Sequence, residues 1–74
     1  MMWAPTHKRK FEWSAEKHGL IAVVHKTPAG EVYCKIVDKK RKVFWKKKST
    51  LHLIDCMSAT EAMMDFFQQK KDSQ

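Results

Sequence analysis

Glycine and proline are scarce in this chain, two of each in 74 residues. A phosphate-cradling loop needs several glycines in one short stretch, and Gly19 and Gly30 stand apart, which excludes the P-loop and dinucleotide-binding fingerprints. Cysteine is equally sparse. Cys34 and Cys56 have no CxxC spacing and lie in apolar stretches, so they are expected as reduced core thiols rather than a disulfide. His7, His18, His25 and His52 show neither the i, i+4 spacing of a helical metal pair nor zinc-finger spacing, so no metal and no cofactor is expected. The acids Glu12, Glu16, Glu31, Asp38, Asp55, Glu61, Asp65 and Asp72 are scattered, and no Ser-His-Asp or Cys-His grouping emerges, so no enzyme is expected. No apolar run approaches the roughly 20 residues of a membrane span, and "MMWAPTHKRK" lacks an apolar stretch of signal-peptide length. A soluble cytoplasmic protein is expected, nuclear if the source is eukaryotic. There "KKRK", residues 39–42, would resemble an import signal, although a basic turn is the commoner use of such a run.

What the chain has in quantity is positive charge. Fifteen Lys and Arg face eight Asp and Glu, for a net charge of +7 and a pI near 9.7. Such a balance favours nucleic acid, acidic protein surfaces or anionic membrane as partners. At 74 residues the chain makes one small domain, near the size where a single core is only marginally sufficient, with residues 1–7 and 71–74 expected to be loose.

Hydrophobic periodicity gives strands followed by one helix. "KFEWSA", residues 10–15, alternates with Phe11 and Trp13 on one side, as a short edge strand does. "LIAVVHK", residues 20–26, is β-branched and almost continuously apolar, the pattern of a central strand covered on both faces. "TPAG", residues 27–30, is a turn: Pro28 presets φ at the first corner and Gly30 takes the left-handed position, giving a type I turn with a glycine bulge. "EVYCKIV", residues 31–37, alternates with Val32, Cys34 and Ile36 on one side.

A four-residue turn at 38–41 then sets Ile36 against Val43, Cys34 against Trp45 and Tyr33 against Lys46. Val43 and Trp45 thereby join the core face, and Tyr33, Lys35, Lys42, Phe44 and Lys46 share the other. After a polar break at 46–50, "LHLI" reads as a last short strand. Ser58 and Glu61 then have capping-box spacing at the start of a helix. Its stripe runs Ala59, Ala62, Met63, Phe66 and Phe67, with Met63 and Phe66 in the core, Met64 and Phe67 toward the flank, and Lys70 and Lys71 at the end. The fold class is α+β, an antiparallel meander of three to five strands against one C-terminal helix.

The stretch with most chemistry is 35–48. Eight basic residues there surround Phe44 and Trp45, and a strand places alternate side chains about 6.5 to 7 Å apart on one face, close to the spacing of successive phosphates. Lys35, Lys39, Lys40, Arg41, Lys42, Lys46, Lys47 and Lys48 are the candidate phosphate contacts, and Tyr33 and Phe44 the candidate stacking or wedging side chains. Lysines also guard edge strands against aggregation, but eight exceed what that needs. The basic run "HKRK", residues 7–10, is a backbone-following arm or a solvated tail, and Trp3 beside it is expected to pack on the sheet rather than to anchor a partner. Arginine numbers only two, Arg9 and Arg41, which suits diffuse phosphate attraction over bidentate base reading.

"GEVYCKIVDKKRKVFW" followed by "LIDCMSATEAMMDFF" resembles the AP2 and integrase amino-terminal type of DNA-binding domain, in which a three-stranded sheet packed on a helix enters the major groove. The chain departs from that pattern in the "KKKSTLH" insertion before the helix and in its lack of arginine-rich strands. Non-catalytic, largely sequence-nonspecific binding of DNA or RNA is therefore the first expectation. The alternative is a small phage-type inhibitor or adaptor docking on an acidic surface of a larger protein or nucleoprotein complex. Met64 and Phe67 at the helix flank also suit a homodimer contact.

Overall fold

The computed structural model describes residues 2–40, 42–49 and 52–72, with positions 43, 44, 71 and 72 as backbone only. Five strands run in chain order, β1 (Ala4–Pro5), β2 (Glu12–Lys17), β3 (Leu20–Lys26), β4 (Val32–Val37) and β5 (Val43–Ser49), followed by one helix, α1 (Leu53–Asp72). The strands form one antiparallel sheet in the order β1-β2-β3-β4-β5, so spatial neighbours are sequence neighbours. This is the expected α+β meander with its helix on one face.

The hairpins follow local chemistry. His18 and Gly19 join β2 to β3 with φ of 57° and 75°, and Lys17 pairs with Leu20. Two positive φ values make a type I′ connection, whose twist matches that of the strands. At the next turn Gly30 N donates to Thr27 O at 2.9 Å and Gly30 has φ 88°, the conformation expected from "TPAG".

The third hairpin departs from expectation. Asp38 N donates to Lys42 O at 3.1 Å, and the Asp38 carboxylate accepts the Lys42 amide at 2.8 Å. This side-chain clamp closes a turn one residue longer than expected and sets Val37 against Val43. A bulge at Phe44 then adds a second shift, so Ile36 meets Trp45, Lys35 meets Lys46, Cys34 meets Lys47 and Tyr33 meets Lys48. One shift exchanges the faces of a strand and two restore them. Trp45 therefore keeps the core face and Lys46 the opposite one, although the partners of Val37 are displaced by one and those from Ile36 to Tyr33 by two. The stretch read as a polar break belongs to β5 as far as Ser49.

α1 lies across β3 and β4. Val24, Val32, Cys34 and Cys56 form one buried group and Ala22, Ile36 and Met64 another, with Trp3 and Trp45 packed against both. Burial pushes the Cys34 thiol pKa up. Phe11 is not a strand partner of Trp13: it precedes β2 and is exposed.

The helix begins five residues before Ser58. His52 O accepts the Cys56 amide at 3.0 Å, and Asp55 in the first turn faces the positive end of the dipole. Ser58 and Glu61 are interior to the helix, so they form no capping box, and Leu53 and Ile54 are helical rather than strand. The earlier start reveals the stripe Leu53, Cys56, Thr60, Met64 and Phe67, with Met57 and, as expected, Met63 half-buried against the core beside it. Met64 is 0% exposed and Phe66, expected in the core, 51%. One residue rotates a helix by about 100°, and the stripe read from Ala59 lacked both the first turn and the polar Thr60. Thr60 is tolerated because its hydroxyl donates to Cys56 O at 2.7 Å. Farther along the helix Asp65 Oδ1 lies 2.9 Å from both Lys17 Nζ and His18 Nε2, clasping α1 to the β2–β3 turn. The bonds from Lys17 and then His18 hold its carboxyl below the usual range. The expected core position of Val43 and the helix-end role of Lys71 lie outside the described side chains.

Candidate functional site

Directly opposed residues of antiparallel strands point to the same side. From β2 to β5, one row of the face away from the helix reads Glu12, His25, Tyr33 and Lys48, and the next Ser14, Val23, Lys35 and Lys46. Beyond them Glu16, Ile21 and Val37 continue the face. None of the described elements covers it. β3 is central as expected, but it is covered on one side only, which leaves Ile21 and Val23 half-buried on the floor of an open groove. The groove has a volume of about 1150 Å³ and runs from Lys35, Lys46 and Lys48 to Thr6, Lys8 and Arg9.

Of the residues singled out from sequence, Tyr33, Lys35, Lys46 and Lys48 meet on this face. Lys47 stands opposite Cys34, which places it on the helix side of the sheet, exposed at the edge strand. Lys39, Lys40 and Lys42 are exposed around the turn. Arg41 and the Phe44 side chain lie outside the described residues.

A small network orders one end of the face. The Tyr33 hydroxyl donates to Glu31 Oε2 at 2.8 Å, and Lys48 Nζ approaches the same oxygen to 3.3 Å while lying 6.0 Å from the centre of the Tyr33 ring. The Tyr33 hydrogen bond, then Lys48, lowers the Glu31 pKa, and Glu31 in turn raises those of Tyr33 and Lys48. Lys48 thus stays charged, and Glu31 competes with any incoming anion for it.

At the other end the sequence marked the basic residues but not their placement. The basic run 7–10 is neither arm nor tail but part of the β1–β2 connection. It is closed by Thr6 N donating to Glu12 O at 3.1 Å and by the Thr6 hydroxyl donating to Glu12 Oε1 at 2.7 Å. Lys8 N reaches Thr6 Oγ1 at 3.3 Å, and Arg9 Nε lies 4.0 Å from Glu12. His7 and Phe11 hold left-handed φ of 62° and 56°, a conformation that costs non-glycine residues about 1 kcal/mol or more each. The sequence signal for the apolar floor of the open face was arithmetical: β3 is apolar on both sides, and a single helix covers only one.

Among the described residues no group of three or more His, Cys, Asp or Glu is placed to hold a metal, and no helix is long and apolar enough to cross a membrane. No family model, curated protein or solved structure matches this chain.

Proposed function

We propose that the chain is a non-catalytic nucleic-acid-binding protein that uses the open sheet face and the β4–β5 hairpin, with little sequence preference. The observation that carries this reading is the convergence of Tyr33, Lys35, Lys46 and Lys48 on one uncovered face, with Lys8 and Arg9 across the groove. Lysines there neutralise phosphates, and Tyr33, fixed by Glu31, offers its ring for stacking. Lys39, Lys40 and Lys42, exposed at the hairpin end, extend the positive surface, and Arg41 and Phe44 remain proposed contacts of the same hairpin. The proposed location is the cytoplasm, or the nucleus in a eukaryote.

A salt titration tests this reading. Neutralising about six phosphates gives a log K against log salt slope of about −5 on duplex DNA and about −4 on a single strand. Absence of binding, or a flat response, contradicts it. The second reading, an inhibitor or adaptor docking on a larger protein, draws support from the helix, where Ile54 and Phe66 are 75% and 51% exposed and play no part in the open face.

A further inference from the structure

We infer that the ligand of the open face is a single-stranded nucleic acid, held between the β4–β5 lysines and a second wall built by residues 7–11; this rests on the nucleic-acid reading above. The groove is larger than the roughly 300 to 1,000 Å³ that encloses a drug-sized ligand, and it is open, which suits an extended chain. Its walls and its floor differ in chemistry. Lys35, Lys46 and Lys48 stand on one side and Lys8 and Arg9 on the other, while Ile21 and Val23 lie between them. A duplex turns its phosphates outward and keeps its base faces stacked inside, so it satisfies the walls and gains nothing from an apolar floor. A single strand satisfies both, because its bases are free to lie on apolar and aromatic side chains while its backbone follows the cations.

Phe11 extends the path. It is 60% exposed on a basic loop, held there by the left-handed backbone at Phe11 itself and by the Thr6–Glu12 closure. It borders a second depression of about 500 Å³ that shares Pro5, Lys8, Arg9 and Glu12 with the main groove. An aromatic side chain left in solvent beside Lys8, Arg9 and Lys10 has little packing to lose and a base to gain.

Fluorescence anisotropy on the full chain tests this, with labelled 12-mers of dT and rU and a 12-base-pair duplex at matched salt. The single strands should bind at least about ten-fold more tightly than the duplex, and the tighter of dT and rU identifies DNA or RNA. Phe11→Ala should weaken single-strand binding at least about five-fold and leave duplex binding within about two-fold. Phe11→Tyr, which keeps a ring, should retain it. Lys8→Ala with Arg9→Ala should reduce the single-strand salt slope by about 1.4. Phe11 is exposed, and an unchanged melting curve for Phe11→Ala verifies that the loss is not unfolding. Duplex binding equal to or tighter than single-strand binding, or indifference of single-strand binding to Phe11→Ala, overturns this inference and leaves the nucleic-acid reading standing. Binding to none of the three probes overturns that reading as well.

Discussion

The two faces of the sheet share their strands but not their chemistry. Under α1 the alternation supplies Ala15, Ala22, Val24, Val32, Cys34 and Ile36, small or branched side chains that let a helix sit close, with Trp3 and Trp45 packed against them. On the other side the same strands present Val23 and Ile21 in the middle and Lys35, Lys46, Lys48 and Tyr33 toward one edge. The covered face buys stability, and the open one spends apolar surface on water unless something lies over it. An apolar strand thus carries two different surfaces: one covered by the chain itself, and one that none of the described elements covers.

Disturbing the covered face should give the largest effect. Met64→Ala should destabilise by about 2 to 5 kcal/mol through a core cavity. Phe66→Ala should cost about 1 kcal/mol, since it loses chiefly its edge-to-face contact with Phe67 at 5.9 Å. Thermal or urea melts rank the two, and the reverse order would mean that the helix packs in the phase read from Ala59.

Sequence alone yielded the centre of the sheet. "LIAVVHK" and "EVYCKIV" lie within one residue of β3 and β4 because β-branching and alternation come from the strands themselves. The rest was hidden for identifiable reasons. β1 is two residues long and has no period to detect. His18 takes a positive φ usually marked by glycine or asparagine. The bulge at Phe44 has no residue signature, and polar Thr60 masks the helix stripe. Of the candidate site, the β4 and β5 residues were legible from charge and alternation. Its opposite wall was not, because Lys8 and Arg9 reach the groove through backbone closure by Thr6 and Glu12 rather than through strand periodicity.

Disturbing the open face should leave folding alone. Lys46→Ala with Lys48→Ala should change the melting temperature little and lower the salt slope by about 1.4 on a single strand, or about 1.8 on a duplex. Glu31→Gln removes the carboxylate that competes for Lys48, so nucleic-acid affinity should rise a few-fold, read by anisotropy at low salt.

The smallest effect lies at the clasp between α1 and the β2–β3 turn. Asp65 has a lowered folded pKa, so its contribution is fully present above the ordinary carboxylate value near pH 4 and is lost as pH falls through the lower folded value. Melting temperatures of wild type and Asp65→Asn measured from pH 6 to pH 2 should therefore converge at the acid end. A constant gap would show that the carboxylate charge is not what the clasp uses.

The comparison of the two faces is tested most directly by mapping backbone amide shifts during titration with a 12-mer of dT. Shifts concentrated at Val23, His25, Tyr33, Lys35, Lys46 and Lys48, with α1 quiet, are the result expected if the open face is the interface. Shifts confined to the outer side of α1 around Ile54 and Phe66 would contradict it.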